Sequence, residues 1–378
     1  MKQNRFLIVL LSILFGLIVG AIVLSIAGFN PIEAYGVMIK GVFGKPKYIS
    51  WTIIRSTPLI LTGVSVAFAF RTGLFNIGAE GQFIIGSLVA TLVGYFIKLP
   101  PVIHPIVAIL AGCLAGALWA GFAGLLKSKF GINEVITTIM LNWIALYFSN
   151  FMVFTEGFKR PNKDASHKIL ESASINILGK WKTSEVGKAF LKDNDFLRGF
   201  LNPPVNYGFI IAILVAILMW YILKHTTLGY QLRAVGLNKD AAEYGGINVK
   251  KNIVISMMIA GALSGLAGAV QVLGVSKETA VLATMEGYGF DGIAVSLIAG
   301  NSPLGCIPAA LLFGGLKYGG SKLQPTIGAP FEVINIIIGI IVFFIAMPKL
   351  IEIITSIKDR KRGEKVENIK WYWDNNRH

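Results

Sequence analysis

Apolar residues in this chain come in long runs separated by short polar breaks. A bilayer core takes about 20 mostly apolar residues per helix. Runs of that order lie at Phe6 to Gly28 and at 52–70, 77–97, 102–126, 135–154, 206–223, 252–274, 304–320 and 332–351, with a shorter one at 290–300. The pattern predicts an all-α polytopic membrane protein of about ten transmembrane helices. The first run follows Lys2 and Arg5 and is longer than the apolar core of a cleaved signal peptide, so it is expected to remain as the first span. The breaks are least regular near 50–80 and 280–320, where glycine, proline and polar residues interrupt the apolar stretches.

Composition sharpens this picture. Of 378 residues, 54% are apolar and 15% charged, against about a quarter charged in a soluble domain, which argues against a soluble enzyme. A net charge of +15 would suggest nucleic acid in a soluble protein, but here the basic residues sort to one side of the membrane. With the N-terminus inside, Arg71, Lys127, Lys129, Lys224, Arg233, Lys239, Lys250, Lys251, Lys358, Arg360, Lys361 and Arg362 fall inside. The short outer loops keep Lys40, Lys45, Lys47, Lys98, Lys277, Lys317 and Lys322. Both termini are therefore expected in the cytoplasm of a cell whose cytoplasmic membrane holds the chain, with the lipid bilayer and no nucleic acid as partner. The organisation predicted is a transmembrane domain over 1–358, carrying an outer segment at 155–206 and an inner loop at 224–251, and a cytoplasmic tail at 359–378. The outer segment reads as an ordered cap or docking surface, or else as a disordered loop. Trp371, Tyr372 and Trp373 in the tail suit a membrane surface, a floppy polar tail being the other account.

Chemistry is sparse. There is no G-x-x-x-x-G-K-[ST] phosphate loop, so ATP binding by the chain itself is not expected. Gly287 to Gly292 spells G-x-G-x-x-G, but it follows no predicted strand and leads into an apolar run, which argues against a dinucleotide site. His104, His167, His225 and His378 are scattered, and Cys113 and Cys306 lie in separate apolar runs without metal or redox spacing. No catalytic set, metal site or bound cofactor is expected. Gly16–Gly20, Gly112–Gly116 and Gly261–Gly265 match the small-xxx-small spacing that lets membrane helices approach closely.

Polar residues inside the apolar frame are costly and mark cavities or partners. The densest group runs from Arg71 to Gln82, where Gly73, Gly78 and Gly81 let the backbone break. Asn76, Glu80 and Gln82 could line a polar pathway; a plain inner turn with Glu80 paired to Arg71 is the alternative. A second group, Tyr288, Asp291 and Asn301, flanks a stretch from Gly292 to Ala299 too short to span. The runs Gly73–Gly78 and Gly287–Ile293 are both glycine-punctuated and aromatic-polar, which suggests a possible internal repeat with a route between its halves. In the inner loop, Arg233 to Ile247 reads as a short helix with Asn238 as N-cap, Asp240 and Glu243 in the first turns, and glycines closing it after Tyr244. Ala241 and Ala242 offer a small surface suited to a partner's groove, an ordinary interfacial helix being the alternative.

The same loop resembles the coupling-loop signature of ABC-importer membrane subunits serving branched-chain amino acids, simple sugars and nucleosides. The pattern R-A-x-G-x-N-x-x-A-A-x-x-x-G-I is matched by Arg233, Ala234, Gly236, Asn238, Ala241, Ala242, Gly246 and Ile247. Gly73 to Gln82, Asn133 to Ala145, Gly289 to Val295 and Asn301 to Gly305 are similar to runs in permeases of nucleoside importers that work with a basic-membrane-protein type lipoprotein. The likeness covers about 50 to 350 in consistent order. Two positions depart from it: Gly245 replaces an expected alanine, and Ile338 an expected glutamine.

The resemblance implies a type II ABC-importer fold. It implies a second permease, forming a heterodimer, a separate ATPase that uses the ATP, and an extracellular substrate-binding lipoprotein. Arg233, Gly236, Asn238, Ala241, Ala242, Gly246 and Ile247 would carry the ATPase stroke. Asn76, Glu80, Gln82, Asn142 and Asp291 would lie along the translocation pathway. The function implied is import of nucleosides or a related sugar-like solute by alternating access. A sugar or branched-chain amino acid permease is the nearer alternative and an ion-coupled secondary carrier the more distant one.

Overall fold

The computed structural model describes residues 5–346, which are helical, with three isolated β-bridges and no sheet among them. The tail at 359–378 and its aromatic run lie outside the described residues. In chain order the first helices are α1 (Arg5–Ile26), α2 (Pro31–Phe43), α3 (Pro46–Arg71), α4 (Ala79–Phe96), α5 (Ile103–Phe130) and α6 (Glu134–Val153). Three short helices follow, α7 (Gly179–Thr183), α8 (Glu185–Asp193) and α9 (Asp195–Leu201), and then α10 (Gly208–His225), α11 (Thr227–Leu237), α12 (Lys239–Tyr244) and α13 (Val249–Gln271), the last extended by a π-helical turn at Val272–Ser276. The series closes with α14 (Tyr288–Ile298), α15 (Cys306–Gly320), α16 (Leu323–Ile327) and α17 (Phe331–Ala346).

Six helices are long and apolar enough to cross a membrane, namely α3, α4, α5, α6, α10 and α13 with its π-helical turn. A seventh span is possible only if the bent pair Ile13–Ile26 and Pro31–Phe43, which meet at 118°, counts as one. The apolar runs at 290–300 and 304–320, expected as spans, fold as the 11-residue α14 and the 15-residue α15. At about 1.5 Å per residue an 11-residue helix reaches only about half of a 30 Å hydrocarbon core. The described residues therefore do not confirm the expected count of about ten.

The chain divides into two compact units, one of Ile39–Gly319 and one of the residues before and after it. In the larger unit α4, α5 and α13 pack against one another, each touching the other two. The spacing Gly112–Gly116 on α5 meets Gly261–Gly265 on α13: a Cβ on Gly116 would stand 2.9 Å from the Gly265 Cα, and one on Gly112 2.9 Å from the Gly86 carbonyl oxygen of α4. Backbones this close are held by dispersion and permit no larger residue. The Ser65 hydroxyl of α3 donates to the Ala260 carbonyl at 2.6 Å and accepts from Ser264 at 2.8 Å, tying α3 to the same central helix.

In the smaller unit Gly16 and Gly20 do for α1 and α17 what the other pairs do for α5 and α13. A Cβ on Gly16 would lie 2.9 Å from the Ile341 Cα, and the Tyr35 hydroxyl donates to the Leu17 carbonyl at 2.7 Å. Ile338 is buried, only 4% exposed, a place where a glutamine amide would need its own hydrogen-bond partners.

The 155–206 segment is folded. Beyond α7, α8 and α9 it is stapled along an extended stretch after α13: Ser166 N–H donates to the Thr279 carbonyl at 2.9 Å, Ile169 N–H to Lys277 at 2.9 Å, and Val281 N–H to Asp164 at 2.9 Å. Arg160 pairs with Glu278, and the Lys277 ammonium donates to Ser174 and to the Leu273 carbonyl. Burial pushes the Lys277 amine down to about 8, with Glu171 pulling it partly back.

Candidate functional site

The turn joining α3 to α4 is built from the residues that stood out in the sequence. Gly73 has φ +70, which an L side chain rarely adopts. The amides of Asn76 and Gln82 bond each other reciprocally, at 3.0 and 2.9 Å, and the Asn76 oxygen also accepts the Gly78 N–H at 3.1 Å. Asn142 of α6 closes the arrangement: its oxygen accepts the Gly81 N–H at 2.8 Å and its nitrogen donates to the Ile77 carbonyl at 3.0 Å. All three amides are buried. Their hydrogen-bonding capacity goes into fixing the turn and supplying an acceptor to an otherwise orphaned N–H at the start of α4.

Glu80 does something different. Its two carboxylate oxygens accept the N–H groups of Gly287 and Gly289 at 2.7 and 2.6 Å, capping α14 from a helix two hundred residues away in sequence. A negative group suits the positive end of a helix dipole. The approach is close, since a Cβ on Gly289 would stand 2.5 Å from the Glu80 Cα, and Gly287 adopts φ +87. Thr62 of α3 adds a bond to the Tyr288 carbonyl at 2.9 Å, and Tyr288 and Phe83 bring their ring centroids within 5.2 Å. Asp291, in the first turn of α14, pairs with Lys317. The structure thus brings the two interrupted runs, 73–82 and 287–293, face to face. The alternative of a Glu80–Arg71 ion pair does not hold, because the Arg71 Nε donates instead to the Asn301 carbonyl at 2.9 Å, beyond the far end of α14.

The inner loop joins this assembly directly. The short helix expected with Asn238 as N-cap and glycines after Tyr244 is α12; not foreseen is a second helix ahead of a break at Asn238, with Arg233 and Gly236 in the last turns of α11. The break follows from Asn238 acting as N-cap, its side-chain oxygen accepting the Ala241 N–H at 3.0 Å. Gly246 closes α12 with φ +80, and Ile247 N–H returns to the Ala242 carbonyl at 2.9 Å, a glycine-based helix stop. Ala242 faces its own chain, while Ala241, Leu237 and Tyr244 are exposed, the last two at 89% and 96%. Gly236 lies against the α3–α4 turn; a Cβ there would stand 3.0 Å from the Gly73 nitrogen. Arg233, whose Nε donates to Gly229, shares with Arg71, Gly236 and Asn301 the lining of a cavity of about 420 Å³ at this junction.

A second cavity, about 80 Å³, lies between α4, α6, the π-helical turn and the stretch leading to α14. Its polar lining includes Ser149, Gln271 and Glu286, none of which the sequence reading singled out, and none of Asn76, Glu80, Gln82, Asn142 or Asp291 lines it. Glu286 had a signal: with Glu278 it is one of two acids between the apolar runs at 252–274 and 290–300, in the segment whose span assignment was irregular.

Against known proteins, residues 48–346 match the family described as branched-chain amino acid transport system / permease component. The guanosine ABC transporter permease protein NupP of Bacillus subtilis is 40% identical over 363 residues, covering 96% of this chain and 99% of that protein. The nucleoside ABC transporter permease protein NupB of Lactococcus lactis is 36% identical, with the same coverage of each chain. A second guanosine ABC transporter permease protein of B. subtilis, NupQ, is 31% identical over 269 residues, covering 70% of this chain and 78% of its own. No solved structure matches.

Proposed function

Since the chain belongs to the branched-chain amino acid transport system permease family, we propose that this multi-pass membrane protein is the translocating subunit of an ATP-driven importer of nucleosides. The permeases it resembles over nearly their whole length carry guanosine or nucleoside in their names, which favours nucleosides over simple sugars and branched-chain amino acids. In this reading the chain sits in the cytoplasmic membrane with both termini inside and 155–206 outside. It pairs with a second permease, as the likeness to both NupP and NupQ suggests. An ATPase docks on the inner loop, a lipoprotein delivers solute from outside, and no catalytic step falls to this chain.

The observation that carries the mechanism is the approach of Gly236 to Gly73. Nucleotide-driven closure of the ATPase pushes on α12, and α11 passes the displacement by main-chain contact to the α3–α4 turn. That turn holds Glu80, and Glu80 holds the start of α14. A push on the loop therefore reaches a broken helix inside the bundle through three rigid links. Close-packed helices respond by moving between discrete arrangements, which is what alternating access requires.

The test is uptake of labelled guanosine, ribose and leucine by cells with and without the gene. Guanosine uptake is expected to depend on the gene and on cellular ATP. Loss of leucine uptake alone overturns the solute, and uptake by the purified chain driven by an ion gradient overturns the ATP-driven mechanism.

A further inference from the structure

We propose that the cavity between α4, α6 and the 276–286 stretch is a base-recognition subsite, in which Glu286 reads the N–H edge of a purine and Ser149 holds a second polar atom of the solute. This rests on the reading of the chain as a nucleoside permease, and adds the residue that discriminates among nucleosides.

Ser149 lies fully buried on α6 and its hydroxyl has no hydrogen-bond partner in the protein. A buried hydroxyl without a partner is costly, and this one lines the cavity. Glu286 also lines the cavity, and its carboxylate forms no hydrogen bond or ion pair among the described residues. Gln271 adds an amide-bearing side chain to the lining, and Phe83 an aromatic one. The other acid of the lining, Glu278, is already paired with Arg160.

The set of groups selects by charge. No lysine or arginine lines the cavity, so a phosphorylated nucleoside or the carboxylate of an amino acid would meet no countercharge there, at the desolvation cost of an unpaired ion. A neutral nucleoside incurs no such cost. An aromatic face beside hydrogen-bonding groups is the usual means of holding a base. A carboxylate accepts two N–H bonds at once, as the N1–H and 2-amino group of guanine present them; adenine offers a donor beside an acceptor, which a carboxamide matches instead.

At about 80 Å³ the space holds a few waters and no nucleoside in this conformation. The wall beside Glu286 is the part able to yield. Residues 283–286 form no hydrogen bond among the described residues, and the staples from the 155–206 segment stop at Val281 and those from Asn150 at Leu282. The subsite opens when this stretch moves outward and closes on the base as it returns.

The experiment compares strains that differ only at this codon, so that the external binding protein contributes equally to each. Initial rates of labelled guanosine and adenosine uptake are measured in the parent and in Glu286→Gln. The guanosine-to-adenosine ratio is expected to fall at least 10-fold in the variant, through a raised guanosine KM. Ser149→Ala, which breaks no bond within the protein, is expected to raise the KM of both nucleosides at unchanged expression. A parent that takes up guanosine while Glu286→Gln keeps the parent's ratio overturns the subsite. A parent that takes up neither nucleoside overturns the nucleoside reading itself, a distinct result.

Discussion

Replacing Glu80 with glutamine tests the link between the α3–α4 turn and α14. The carboxylate accepts two backbone N–H groups, at 2.7 and 2.6 Å. A glutamine keeps the shape but offers one oxygen, and its NH₂ then faces the remaining N–H. One buried donor is left unsatisfied, at a cost of about 1–3 kcal/mol. Loss of the negative charge from the helix N-terminus adds roughly 0.3–1 kcal/mol. At tenfold per 1.4 kcal/mol, the first turn of α14 should open roughly 10- to several-hundred-fold more often than in the parent. Hydrogen–deuterium exchange in detergent reads this directly in peptides covering 284–292, with peptides from the α5–α13 seam as internal reference. The expected result is faster exchange in the first turn of α14 and no change at the seam. Equal exchange of 284–292 in variant and parent would refute the claim that Glu80 is the cap. Glu80→Ala, which removes both acceptors, should exchange faster still.

Other outcomes follow from the same geometry. Gly265→Val forces α5 and α13 apart where a Cβ already has no room, and overpacking of this kind costs about 1–3 kcal/mol, visible as a lower thermal midpoint in detergent. Leu237→Asp and Tyr244→Asp alter exposed positions of the inner loop; both should leave the thermal midpoint unchanged and abolish ATP-driven uptake together with co-purification of the ATPase. The Lys277 amine titrates near 8 in the folded chain and near 10.4 when unfolded. Between those values the unfolded chain binds more protons, so stability rises with pH across about 8 to 10. Lys277→Gln should remove that rise, measured as the difference in thermal midpoint between the two proteins at pH 7.5 and 9.5.

The helical bundle was legible because long apolar runs have few other uses, and the glycine spacings were legible because a four-residue repeat puts two small residues on one helix face. Asn238 as a cap was legible too, since capping is a local event between neighbours. The partners of Glu80 and Arg71 were not. In the same short polar segment and of opposite charge, they suggest a pair, yet each is taken by backbone groups more than two hundred residues away. A helix start and a helix end inside an apolar bundle need polar partners from somewhere, and sequence alone does not say from where. Glu286 was missed for a related reason: the extended stretch that presents it has no periodicity to place it on a face.

The meeting of Gly236 with Arg71 and Gly73 is a joint between main chains, with no side chain of either partner at the point of contact. Such a joint transmits position and is indifferent to side-chain chemistry. What the joint itself requires is the absence of a side chain at Gly236 and Gly73, where each backbone already stands against the other. One methyl group added at Gly236 would press on the Arg71 carbonyl oxygen, 2.3 Å away, so this joint is sensitive to volume where the exposed face of the loop is sensitive to charge.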